Sequence, residues 1–336
     1  MEQRVTNNLW SRTIRRLAGA LAIAAALGWC LPAAAQPEAY PSRPIRLILP
    51  VPPGGSVDTM ARITAEKLRQ KWGQAVVVEN RPGASNTIGI EAVITAVPDG
   101  YTLLFGPGSP ITINKLLFPN RALDPETLEP VSRIATNPVV LVVHPKVPVK
   151  TLQEFVAYTK ANPGKLNYAS AGDGGVPHLT AEMFQRKAGV TLTKVPYRGV
   201  SLAMTDLLAG QVDLIFVDIS TAIEHIRTGN LRVLGVAAAK RHHVLPDTPA
   251  LTEMFPDLIS ETWFAMSAPP KTPAAIVNQL SAAIADVVKE PDVQKRLQDM
   301  GDIEAVGSTP AEMAAFMKGE KARWAVVISE GRIKGE

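Results

Sequence analysis

Cysteine is almost missing from this chain: there is one, Cys30, and it lies in an apolar run near the N-terminus. If that run is removed, disulfides, thiolate catalysis and Cys-ligated metals are excluded together. An excess of charge of one sign is also missing. Lys plus Arg number 35 against 31 Asp plus Glu, but Arg4, Arg12, Arg15, Arg16 and Glu2 all precede residue 36, leaving 31 basic against 30 acidic residues. A balanced surface of this kind argues against nucleic-acid binding and a polybasic membrane patch, both of which need concentrated Lys and Arg. Beyond residue 36 no stretch reaches the roughly 18 to 20 apolar residues of a membrane helix. There is no repeat of the length that builds solenoids or propellers, and no low-complexity segment. What is present, 46% apolar and 20% charged residues over 336 positions, is the composition of a globular protein long enough for two domains.

The first 35 residues read as a leader. Arg12, Arg15 and Arg16 form a charged start, Leu17 to Leu31 an apolar run, and Ala33-Ala34-Ala35 a small-residue cleavage site. The expectation is a signal peptide over 1–35 and an exported, soluble protein with periplasmic localisation. Lipidation at Cys30 is disfavoured by the bulky Trp29 before it.

From residue 45 onward, apolar β-rich runs alternate with amphipathic stretches. Strands are expected at Ile45 to Val51, Ala75 to Glu79, Thr102 to Phe105, Val139 to Val143, Leu166 to Ala169, Thr193 to Pro196, Leu214 to Val217 and Val233 to Ala237. Between them, Ser56 to Trp72 is the strongest helix, with Val57, Met60, Ala61, Thr64, Ala65 and Leu68 along one side. The segment from Pro273 onward reads as helical. Alternation of this kind predicts an α/β fold of mostly parallel sheets covered by helices. Asn137-Pro138 and the stretch Ser267 to Pro273 are Pro-marked candidate passages between two lobes. The expected division is 36–136 plus 255–336 for one lobe and 137–254 for the other.

Two strand-loop-helix junctions carry the chemistry. One runs Leu49-Pro50-Val51-Pro52-Pro53-Gly54-Gly55-Ser56-Val57-Asp58, the other Ala169-Ser170-Ala171-Gly172-Asp173-Gly174-Gly175-Val176-Pro177-His178. Glycines let the backbone approach a ligand, and the following helix presents unsatisfied N–H groups and the positive end of its dipole, which suits an anion. Neither loop carries Lys or Arg, so backbone amides and hydroxyls would hold a carboxylate rather than a polyphosphate. The plainer alternative is that the glycines only make turns and Ser56 caps a helix. The phosphate pattern G-x-x-x-x-G-K-[ST] and the dinucleotide pattern G-x-G-x-x-G are both absent.

The segments Val51 to Arg62, Val78 to Ala84 and Pro98 to Leu103 resemble the Bug family, the substrate-binding proteins of tripartite tricarboxylate transporters. So do Tyr168 to Leu179, Pro196 to Gly199, Asp206 to Asp213, Ala239-Lys240-Arg241 and Trp263 to Pro273. The resemblance implies a two-lobed periplasmic binding protein of the Venus-flytrap type that closes on a small carboxylate and presents it to membrane permease subunits. It implies a carboxylate cradle of Gly54, Gly55, Ser56 and Asp58 with Ser170, Gly172, Gly174 and His178. Pro53 belongs to the first loop, and Ser85, Asn86, Tyr197, Arg198 and Asp218 are further candidate contacts. Val51 stands where the family usually has an aromatic residue, and Gly175 where a hydroxyl is common.

Other readings stay open at this point. Asp218 could face a ligand amino group or cap the next helix. Arg198 could clamp a distal carboxylate or form a surface ion pair. A ligand-loaded sensor docking on a membrane kinase would need the same fold. A serine hydrolase using Ser170 or Ser56 with His178 lacks the G-x-S-x-G elbow. His242-His243, adjacent and expected to point apart, reads as a solvated pair rather than a metal site. No cofactor, no metal, no catalysis and a monomer are the expectations.

Overall fold

The computed structural model describes residues 40–172, 174–301, 303–331 and 333; the leader reading over 1–35, with Cys30, lies outside them. All the elements below belong to one compact unit, Arg43–Glu336. The chain begins β1 (Ile45–Leu49), α1 (Ser56–Trp72), β2 (Val76–Asn80), α2 (Thr87–Ile94), β3 (Thr102–Pro107), α3 (Ser109–Leu117) and β4 (Glu129–Val143). It continues α4 (Leu152–Ala161), β5 (Asn167–Ser170), α5 (Val176–Ala188), β6 (Thr193–Pro196), α6 (Val200–Leu208), β7 (Leu214–Asp218), α7 (Ile219–Arg227) and β8 (Arg232–Val236). It ends β9 (Glu261–Ala268), α8 (Ala274–Val287), α9 (Pro291–Asp299), β10 (Glu304–Ala305) and α10 (Pro310–Gly331).

Helix α1 forms where the 3.6-residue pattern predicts it. Met60, Ala61, Thr64, Ala65 and Leu68 are buried, and Gly73 closes the helix in the left-handed conformation by donating to the Arg69 carbonyl. The strand order β2-β1-β3-β9-β4-β7-β5-β6 contains two parallel groups, β2-β1-β3 and β6-β5-β7. Strand β4 joins them. Residues Glu129 to Pro138 pair antiparallel with β9, and Val139 to Val143 pair antiparallel with β7 and β8. The architecture is the two-lobed α/β one, with mixed rather than mostly parallel sheets. The antiparallel pairs arise because one strand passes from sheet to sheet and another returns beside it.

That return occurs at Ser260, whose carbonyl accepts from Val139 N (3.1 Å) and whose N–H donates to Ala237 O (2.8 Å). Ser267, by contrast, pairs with both β3 and β4 inside the first sheet, so the Ser267 to Pro273 stretch is not a passage between sheets.

Along the second half of β4 the run Val139-Val140-Leu141-Val142-Val143 is buried on both faces, as a strand covered on both sides requires. Val139, Leu141 and Val143 pack with Leu179 and Phe184 of α5, and with Ile113 and Leu117 of α3 and Trp324 and Ile328 of α10. Val140 and Val142 pack on the opposite side with Ala203 and Leu207 of α6 and Ala222 and Ile223 of α7. No helix among the described residues is long and apolar enough to cross a membrane.

Candidate ligand-binding site

The first glycine loop leaves β1 at its C-terminal end and enters α1. Gly54 adopts φ +93°, open to glycine and unfavourable for side chains, and a methyl group placed there would meet nothing within 4 Å. Gly55 occupies the N-cap of α1 with no side-chain cap, so Ser56 is the first helical residue and not the cap. The early N–H groups of α1 thus lack a side-chain acceptor, as an anion site requires.

Asp58 is only 5% exposed and has no free acceptor facing outward. It accepts from Gly54 N (3.2 Å), Arg62 Nε and Nη2 (both 3.0 Å) and Asn80 Nδ2 (3.0 Å). Burial alone would raise its carboxyl. The hydrogen bonds from Arg62, Asn80 and Gly54 and the Arg62 charge outweigh this and hold it below the ordinary aspartate value. Val51 is half-buried, and its carbonyl accepts from the same Asn80 amide (3.0 Å), while Pro53 is exposed.

The second loop leaves β5 and enters α5 in the same way. Gly175 is the N-cap, again with no side-chain cap. Ser170, the last residue of β5, is buried, and its Oγ has no hydrogen-bond partner among the described residues. Gly172 is exposed at φ +130°. Gly174 is buried at φ +77°, and a methyl group there would lie 2.3 Å from Leu117 Cδ1 of α3. His178 is buried and accepts at Nδ1 from Gly174 N (3.2 Å), and its Nε2 lies 3.8 Å from Glu182. His178 therefore pins the loop, and among the described residues it makes no hydrogen-bonded pair with Ser170 of the nucleophile-and-base kind.

Two approaches bring the first loop to the other lobe. A methyl group on Gly55 would stand 3.7 Å from Val200 Cγ1, and one on Gly199 3.4 Å from Pro52 Cγ. Gly199 is the N-cap of α6, once more without a side-chain cap. Tyr197 N donates to Ser170 O (2.8 Å), which ties this segment to the second loop. The Tyr197 hydroxyl donates to Asp206 (2.7 Å) on α6, and burial together with that carboxylate pushes it up to about 12. Arg198 is exposed, and no hydrogen bond or ion pair of its side chain occurs among the described residues.

Ser85 and Asn86 lead into α2, with Asn86 at its N-cap. Ala84, Ser85 and Asn86 all have positive φ (48°, 53° and 70°), a rare run for non-glycine residues. The turn is clamped by Asn114 Nδ2 donating to Ser85 O and Arg121 Nη1 donating to Ala84 O, both at 3.0 Å.

Asp218 ends β7 and is the N-cap of α7, but its side chain makes no capping bond. It accepts instead from Thr262 Oγ1 (2.5 Å), where β9 begins. Burial pushes its carboxyl up to about 6 against the lowering effect of Thr262. Beside it, Asn137 Nδ2 donates to Ser220 Oγ (2.5 Å), and the fully buried Asn137 keeps Oδ1 without a partner among the described residues. Sequence reasoning missed Asn137, Ser220 and Thr262 as one polar cluster. The available signal was a lone Asn before Pro138 inside an apolar strand.

His242 and His243 do not point apart: their rings stack at 4.8 Å and 21°. No group of three or more metal-ligating side chains occurs among the described residues.

The sequence matches the family described as the tripartite tricarboxylate transporter family receptor over residues 60–333. The chain belongs to this family. Protein BugT of Bordetella pertussis is 37% identical over 298 residues, covering 87% of this chain and 90% of BugT. The solved periplasmic binding protein BugD superimposes with a TM-score of 0.82 at 32% identity, over 88% of this chain and all of that one. MatC from Rhodopseudomonas palustris, solved with bound malate, gives a TM-score of 0.80 at 32% identity, over 86% of this chain and all of MatC. This receptor-family chain therefore has the fold of a periplasmic solute-binding protein.

Proposed function

We propose that this receptor captures a small carboxylate-containing metabolite in the cleft between its lobes and hands it to the membrane permease of a tripartite tricarboxylate-type transporter. The lobes are 36–136 with 255–336, and 137–254. The single observation that carries the reading is the repeated junction. Helices α1 and α5 both begin on a glycine with no side-chain cap, each directly after a parallel strand, and Ser170 holds an unpartnered hydroxyl beside the second. Such helix starts favour one negative charge without needing Lys or Arg.

In this reading Gly54, Gly55 and Ser56 hold one carboxylate oxygen, and Ser170, Gly172, Gly174 and Gly175 the other. Asp58 and His178 shape the loops from behind. Val51, Pro53, Ser85, Asn86, Tyr197, Arg198 and Asp218 face the rest of the ligand. Malate, the ligand of MatC, is a fitting first probe. Closure follows from a ligand that touches both lobes and so binds the closed form better than the open one. The protein works in the periplasm after losing residues 1–35, as a monomer and without catalysis.

The test is thermal unfolding of protein recovered from the periplasm, against a panel of small acids and their amides. A ligand at about a thousand times its Kd adds roughly 4 kcal/mol, a shift of several degrees. A shift with an acid and none with its amide supports the carboxylate cradle. Equal shifts with both would remove it.

A further inference from the structure

The first loop carries no cation, yet a buried acid lies directly behind it. Asp58 Oδ2 accepts from Gly54 N and from Arg62 Nε, and Oδ1 accepts from Arg62 Nη2 and Asn80 Nδ2. Asn80, the last residue of β2, also donates to Val51 O and accepts from Arg62 Nη2 (3.3 Å). One network therefore grips the loop at both ends, at the carbonyl of Val51 and the amide of Gly54. It also leaves a full negative charge, 5% exposed, within the first turn of the helix whose amides would face an anion.

We propose that Arg62, acting through Asp58 and Asn80, is the positioning and charge-balancing residue of the first loop. It does not touch the ligand. Its planar fork meets both carboxylate oxygens, which fixes the carboxylate as the acceptor for Gly54 and cancels its charge beneath the anion site. This rests on the carboxylate reading for the consequence of charge, but not for the bracing of the loop.

The two parts give two readouts. In the unliganded protein, the Gly54 amide signal in heteronuclear NMR follows the ionisation of Asp58. Its titration midpoint lies below the ordinary aspartate value in the wild type and rises in Arg62→Gln. An unchanged midpoint would overturn the bracing role. With malate as the first probe and the acid panel after it, Arg62→Gln binds the responding acid about tenfold more weakly, because the Asp58 charge is no longer cancelled. Asp58→Asn added to Arg62→Gln removes that charge and restores affinity to within about threefold of wild type.

A merely structural role predicts the opposite, a double variant no better than Arg62→Gln, and that result would overturn the charge-balancing part. Arg62→Lys, which keeps the charge and loses the fork, binds between the two. If the wild type binds no acid while the Gly54 titration shifts as expected, the carboxylate reading fails and the bracing role is supported.

Discussion

Ser170 carries a buried hydroxyl with no partner, a group that costs free energy in the unliganded protein. Ser170→Ala should leave the unliganded stability unchanged or slightly raised, and should weaken ligand binding by about 1.5 to 3 kcal/mol, the worth of one hydrogen bond to a charged group. Urea unfolding and titration calorimetry on the same two proteins measure both. Two of the loop glycines at positive φ, Gly54 and Gly174, separate strain from space. Gly54→Ala meets no atom, so its effect comes from the left-handed backbone alone, about 1 kcal/mol, together with loss of binding. Gly174→Ala adds a clash with Leu117 and should cost about 2 kcal/mol or more by urea unfolding.

Asp218 gives a pH prediction with a definite sign. Burial pushes its carboxyl up to about 6 in the folded protein from the ordinary aspartate value of 3.8, so between those values the folded state binds the extra proton and stability falls as pH rises. Asp218→Asn removes this pH dependence. Its stability relative to wild type should grow from near zero below pH 3.8 to about 3 kcal/mol well above pH 6. Denaturant midpoints across that range would reveal a flat difference if the idea is wrong.

At the scale of elements, α1 was legible to the residue, because its apolar face, its glycine stop and its length agree. Strand β4 was legible only as Val139 to Val143. Its first ten residues, Glu129 to Pro138, mix prolines, charge and small polar residues, and they become a strand through pairing with β9, which no local pattern announces. Helix α3 was missed for a related reason. Ser-Pro-Ile-Thr-Ile-Asn is rich in β-branched residues, and burial of Ile111, Ile113 and Leu117 overrides that preference. The two glycine loops were visible because glycine spacing is written in the chain. The Asp58 brace and the Asn137 cluster were not, since each depends on partners from β2, β9 or α7 that only the fold supplies.

For the whole molecule, the decisive feature is that one core cluster takes in helices from both sides of the proposed cleft. Trp324 and Ile328 of α10 and Leu117 of α3 pack in the same cluster as Phe184 and Leu179 of α5, and Arg186 pairs with Glu330 at 3.3 Å. Scanning calorimetry should therefore show one cooperative transition, not separate melting of two lobes. Trp324→Ala, at a site fully shielded from solvent, should cost about 3 to 5 kcal/mol and lower that single transition.

On the proposed closure, the place where β4 changes sheets would also serve as a fulcrum. Pro138 lies opposite Glu261, so the outgoing and returning strands sit side by side at one point. Any rotation about that point moves nearby groups least and distant ones most. Asp218, Thr262 and Asn137 lie close to that point, Asp218 opposite Val139 and Asn137 opposite Thr262. On the proposed closure, a ligand group reaching them would meet nearly the same spacing whether the jaws are apart or together.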